Sequence, residues 1–126
     1  MMKKTVLVVD DSPMIRRIVA QLLQESGYAF LLAENGSQGL ELTKEHQPDL
    51  VLMDIEMPLM DGIEATRCLK ADPATSPIPV LIFTSLGSEE DISRAWEAGC
   101  QGFMNKPICR NELQTSLRQI LDPLQD

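Results

Sequence analysis

The sequence predicts an α/β domain built on a doubly wound, five-stranded parallel sheet with helices on both faces, and three observations carry that expectation. Continuous apolar runs, Val6-Leu7-Val8-Val9, Leu50-Val51-Leu52-Met53 and Val80-Leu81-Ile82-Phe83, lack the alternation of a half-exposed strand and read as strands covered on both faces. Segments with helical periodicity separate them, and such alternation implies right-handed crossovers within one sheet. Five strand-helix units occupy the 126 residues, which leaves little room for a second domain or a long linker, so residues 1–126 are expected to form a single domain.

The elements follow in order. After the first strand, Ser12-Pro13 supplies an N-cap and a first-turn proline, and Ile15, Ile18, Val19, Leu22 and Leu23 recur at helical spacing up to Gly27. Tyr28 to Ala33 is the second strand, and Ser37 is the expected cap of a helix running through His46. The third strand ends at Asp54. Asp61 with Glu64 forms a capping-box pattern for a helix that should stop near Asp72-Pro73. The fourth strand runs into Thr84, Ser88 caps a helix ending at Gly99, Gly102 to Asn105 is a short fifth strand, and Leu113, Leu117, Ile120 and Leu121 stripe the last helix up to Asp122-Pro123.

In doubly wound sheets the functional crevice lies beyond the carboxyl ends of the strands. Asp10 and Asp11 follow the first strand, Asp54 the third, Thr84 and Ser85 the fourth and Lys106 the fifth, so all are expected at one edge. Three crowded carboxylates repel one another unless a cation offsets them. Hard oxygen ligands suit Mg²⁺ or Mn²⁺, and Mg²⁺ commonly works with few carboxylates and phosphate oxygens. An aspartate carboxylate can accept a phosphoryl group covalently; a metal ion and Lys106 would neutralise its charge, and the Thr84 hydroxyl would donate a hydrogen bond to it. Asp54 is the best-placed nucleophile.

Composition narrows the classes. Hydrophobic residues make up 44% and charged residues 24%, an ordinary globular balance. The formal net charge of −8, from 11 basic and 19 acidic residues, opposes direct binding to nucleic acid or to an anionic membrane. Cys68, Cys100 and Cys109 lack metal-ligand spacing and read as reduced packing thiols, which with the absence of a signal-like segment points to the cytoplasm. Met53, Met57 and Met60 read as packing residues, and the single histidine, His46, as a surface or structural residue.

Val8-Val9-Asp10-Asp11-Ser12, Leu52-Met53-Asp54-Ile55-Glu56-Met57-Pro58-Leu59-Met60-Asp61-Gly62, Phe83-Thr84-Ser85 and Lys106-Pro107 together resemble the receiver domains of two-component response regulators, from the first strand to the last helix. The resemblance implies a flavodoxin-like fold and Mg²⁺ held by Asp10, Asp11, Asp54 and the backbone carbonyl of Glu56. It further implies Asp54 as phosphorylation site, Thr84 and Lys106 on the phosphoryl oxygens, a cis Lys106-Pro107 bond, and Phe103 as a switch aromatic. Implied partners are a sensor histidine kinase or phosphotransfer protein upstream, and an output protein or a second receiver downstream. Such a protein is a phosphoacceptor switch that catalyses only its own phosphorylation and dephosphorylation.

Two departures from that pattern stand out: Cys109 lies where the last helix would start with a capping residue, and the pair Glu56 and Leu86, each two residues past a site residue, is placed to influence water access. A phosphatase passing through an aspartyl phosphate is the main rival, but its motif needs acids two apart and a cap domain. A nucleotide carrier would need a glycine-rich phosphate loop that is absent. For output, Ile92 and Trp96 on the fourth helix, with Phe103 and Ile108, are expected to form an exposed apolar patch while Ala95 and Ala98 face inward; the alternative is that Ile92 and Trp96 are core.

Overall fold

A computed structural model describes residues 3–85 and 88–122. The predicted positions of Leu86 and of Pro123 lie outside them. The elements alternate as expected: β1 (Thr5–Val9), α1 (Pro13–Glu25), β2 (Ala29–Ala33), α2 (Gly36–His46), β3 (Leu50–Asp54), α3 (Gly62–Ala71), β4 (Val80–Thr84), α4 (Glu89–Ala98), β5 (Gly102–Asn105) and α5 (Arg110–Leu121). The strands form one parallel sheet in the order β2-β1-β3-β4-β5. The chain winds outward from β1 to β2, then crosses back to β3, so the strand order reverses between β1 and β3 and opens a crevice at their carboxyl ends.

Pleating explains why uninterrupted apolar runs are needed. Val6, Val8, Leu50, Leu52, Leu81 and Phe83 pack against Val19 and Leu23 of α1 and Leu113 and Leu117 of α5. The intervening Leu7, Val9, Val51, Met53 and Ile82 pack against Ile63 and Leu69 of α3 and Ala95 and Ala98 of α4. Removing one such buried aliphatic side chain typically costs about 2 to 5 kcal/mol.

The helix starts are set by side chains that accept otherwise unpaired amides: Ser12 from Ile15 at 3.3 Å, Asp61 from Glu64 at 2.8 Å and Ser88 from Asp91 at 3.1 Å. Three sequence expectations need correction. Helix α2 is capped not by Ser37 but by Asn35, whose side-chain Oδ1 accepts from Gln38 N–H at 2.8 Å, because Gly36 already has helical conformation and leaves Ser37 exposed in the first turn. Ile18 turns outward and is exposed, since Val19 and Leu23 occupy the strip of α1 that meets the sheet. Of the cysteines, all free thiols, only Cys100 packs in the core; Cys68 and Cys109 are exposed on the outer side of α3 and at the start of α5. Met53 is buried, Met57 and Met60 pack against its core, and His46 is exposed.

Candidate functional site

The site begins at the switch point. Asp10 leaves β1 with its N–H bonded to the Ala33 carbonyl at 3.1 Å, and Asp54 is the last residue of β3. Helix α3 presses on the latter so closely that a Cβ at Gly62 would collide with the Asp54 carbonyl, which leaves glycine as the residue that fits. Asp10 is wholly buried, Asp54 nearly so and Asp11 exposed at the rim, and one carboxylate oxygen from each lies within 4.8 Å of the others.

Fixed donors orient Asp10. Its Oδ1 accepts the Ser12 amide at 2.8 Å, its Oδ2 the Lys106 Nζ at 2.8 Å, and its carbonyl the Arg16 guanidinium at 2.7 Å. Lys106 Nζ also stands 3.4 Å from Asp54 Oδ1, a long charge contact, and among the described residues this buried oxygen has no well-aligned hydrogen-bond partner. Such an oxygen is costly to leave bare. Burial raises the Asp54 carboxyl pKa from 3.8 to about 6, the Asp10 charge adds to the rise, and Lys106 and the Glu56 amide oppose it. Burial alone would lower the Lys106 amine, but the Asp10 hydrogen bond and the charges of Asp54 and Asp10 outweigh it and raise the pKa above its ordinary value.

Register brings in the other members. Asp54 pairs with Phe83, so Thr84, buried at the end of β4, stands one residue beyond that partner. Thr84 pairs with Asn105, and its carbonyl takes the Lys106 N–H at 2.9 Å, which ties the lysine's backbone to the same edge. The Lys106-Pro107 bond is cis. Glu56 lies in the loop after β3 with its side chain exposed, and its Oε1 accepts the Ser85 hydroxyl at 3.4 Å. Two supports escaped sequence reasoning: the Phe83 ring, 5.0 Å below Lys106 Nζ, and Arg16, which braces the Asp10 carbonyl. Neither has a spacing signal, because a core-strand aromatic and a helix-surface arginine are commonplace.

The donor set fits a small hard dication: three carboxylates, one with a buried unpartnered oxygen, and no thiolate or imidazole. Residues 6–118 match the response regulator receiver domain family. The chain belongs to that family. This receiver is 40% identical to the chemotaxis protein CheY of Halobacterium salinarum over 120 residues, covering 95% of this chain and 98% of that one. It is 37% identical to the polar-differentiation response regulator DivK of Brucella anthropi over 107 residues, 85% and 87% of the two chains. Among solved structures it superposes on the receiver domain of a Pseudomonas aeruginosa sensor histidine kinase with a TM-score of 0.88, at 28% identity, covering 94% of this chain and 98% of that one. That structure has a magnesium ion coordinated in its active-site cleft. The fold is therefore the flavodoxin-like receiver fold, and the family works in phosphorylation-dependent two-component signalling.

The residues expected to form an output patch divide between the two sides of the sheet. Trp96 is 50% exposed on α4 beside half-buried Ile92, with Ala95 and Ala98 taking the inward positions. Phe103 packs on the core beneath α4, whereas Ile108 packs on the core shared by α1 and α5. No helix among the described residues is long and apolar enough to cross a membrane.

Proposed function

We propose that Asp54 accepts a phosphoryl group from a phosphohistidine of a sensor histidine kinase or phosphotransfer protein, and that residues 1–126 act as a single cytoplasmic receiver module. One observation carries this reading: a buried carboxylate with an unpartnered oxygen, facing a lysine ammonium and two further acids. Asp10, Asp11 and Asp54, with the Glu56 backbone carbonyl, would hold Mg²⁺ or Mn²⁺, as the cleft of the Pseudomonas receiver holds magnesium. When bound, the cation supplies positive charge that offsets the carboxylates and the phosphoryl oxygens.

The chain's own groups do the rest. An Asp54 carboxylate oxygen attacks phosphorus, the P–N bond breaks, and the bonding pair leaves with the imidazole nitrogen. Lys106, already held between Asp10 and Asp54, neutralises charge on the transferred group, and the Thr84 hydroxyl donates a hydrogen bond to it. Drawing Thr84 toward the phosphoryl group reshapes its surroundings, Phe103 turns inward, and the change reaches Ile92 and Trp96 on α4 and Ile108 in the segment after Lys106, where an output protein or a second receiver docks. The protein turns over only its own phosphoryl group, and no direct contact with nucleic acid or membrane is involved.

Intact-mass analysis after incubation with acetyl phosphate and Mg²⁺ tests the assignment. One base-labile phosphoryl group is expected on the native chain and none on Asp54→Asn. Equal labelling of the variant overturns it.

A further inference from the structure

The edge of the sheet at β2 carries a second feature, independent of the acidic pocket. Val6 and Val8 face α1, and β2 pairs Phe30 with Val6 and Leu32 with Val8, so Phe30 and Leu32 face the α1 side. Helix α1 does not cover them: Phe30 is 36% and Leu32 37% exposed. Between these side chains and Arg16, Arg17, Ala20 and Gln24 of α1 lies an open groove of about 650 Å³.

Among the described residues no strand pairs with the outer side of β2, the backbone beside this groove. Ala29 N–H bonds to the Lys4 carbonyl and the Ala33 carbonyl accepts Asp10 N–H, so alternate residues of β2 point toward β1. Alternation along a parallel strand turns the N–H and C=O groups of Phe30 and Leu32 toward the free edge. An uncovered edge strand with two large apolar side chains and no Lys or Pro on it is the kind that invites another strand.

Charge selects the occupant. On a chain of net charge −8 this groove is lined by two arginines and no acidic side chain. Arg16 is engaged by the Asp10 carbonyl and, at 3.9 Å, by Glu34, whereas exposed Arg17 makes no ion pair among the described residues. We infer that the β2 edge and its groove dock an extended acidic segment of a partner protein, added as a sixth strand that presents apolar side chains beside Phe30 and Leu32 and, further along the same face, a carboxylate to Arg17. Backbone bonds to the edge supply affinity, and alternate side chains in the groove supply selectivity.

The test uses the full ¹⁵N-labelled chain with synthetic peptides that carry leucine and glutamate at successive positions of one strand face, two residues apart with threonine between, in varied registers. A lysine-for-glutamate set and inorganic phosphate serve as controls. At least one acidic peptide should slow hydrogen exchange of the Phe30 and Leu32 amides by tenfold or more, roughly the effect of closing a stable backbone bond. Arg17→Glu should weaken that binding roughly tenfold by placing like charges together. The proposal is overturned by any of four results. These are no protection by any acidic peptide, equal protection by the basic set, the same protection from phosphate alone, and protection that grows with protein concentration without peptide, which would make the edge a self-association surface.

Discussion

Lys106 and Lys70 are both partly buried, and burial pushes both amines toward the neutral form, yet the molecule resolves the two cases in opposite directions. At Lys106, the hydrogen bond to Asp10 and the charges of Asp54 and Asp10 outweigh burial, and the pKa rises. At Lys70, in the last turn of α3, the partners are the neutral carbonyls of Ser76 at 2.9 Å and Ile78 at 2.7 Å; burial dominates, and the pKa falls. Helix α3 joins the two regions, beginning against Asp54 at Gly62 and ending at the loop that Lys70 braces. The difference teaches what each end is for. Carbonyl partners make a strut, whereas unlike charges held beside an unpartnered carboxylate oxygen make a place for a further charged group.

Substituting each lysine is the sharpest way to break that contrast. Lys106→Met should slow acetyl-phosphate labelling of Asp54 about a hundredfold, the usual order for losing one preorganised charge-stabilising donor. Lys70→Met should leave the labelling rate within about twofold and lower stability by about 1 to 3 kcal/mol, because two carbonyls lose their donor. Comparable slowing by both substitutions would end the distinction. Denaturant melts provide the next comparison. Mg²⁺ at a hundredfold excess over its dissociation constant should add about 2.7 kcal/mol to native stability, and equally so in Lys70→Met. A midpoint indifferent to Mg²⁺ would contradict the proposed use of Asp10, Asp11 and Asp54.

The pH dependence has a definite sign. With the folded Asp54 pKa raised from 3.8 to about 6, the native state binds more protons than the unfolded chain between those values, so stability of the metal-free protein falls as pH rises through that window. The loss should be on the order of 2 kcal/mol, and Asp54→Asn should abolish it. At alkaline pH the lysines tilt the curve in opposite senses. Stabilisation from Lys106 is present below its unfolded pKa of 10.5 and fades as pH rises through the higher folded value, whereas Lys70 favours folding as pH climbs toward 10.5. Smallest is a cap effect. Ser88 caps α4 by accepting from Asp91 N–H at 3.1 Å, while Cys109 makes no such bond at the start of α5. Cys109→Ser should therefore stabilise the chain by about 1 kcal/mol in the same melts without altering labelling.

Where local chemistry decides, the residues alone were enough to read. A run such as Leu50-Val51-Leu52-Met53 can only be covered on both faces, Ser12, Asp61 and Ser88 have few better uses than capping, and acids placed after two strands must meet if the strands are parallel neighbours. Strand-end position therefore assigns Asp10, Asp54, Thr84 and Lys106 to one edge of the sheet from the sequence alone. Competition between near-equivalent local choices was different: Asn35 and Ser37 are both good caps, and the backbone of Gly36 selected the first.

The remainder belongs to tertiary structure, because it depends on distances between segments far apart in the chain. That Asp54 keeps one oxygen without a hydrogen bond, that Phe83 lies beneath Lys106, and that Arg16 reaches the Asp10 carbonyl follow from how strands and helices pack. So do the outward turn of Ile18, the division of Phe103 from Ile108 by the sheet, and the uncovered β2 edge. Sequence periodicity determines which residues share a face of one element. Only packing determines which neighbour covers that face and how completely, and it is incomplete coverage that leaves a carboxylate oxygen or a strand edge ready for a partner.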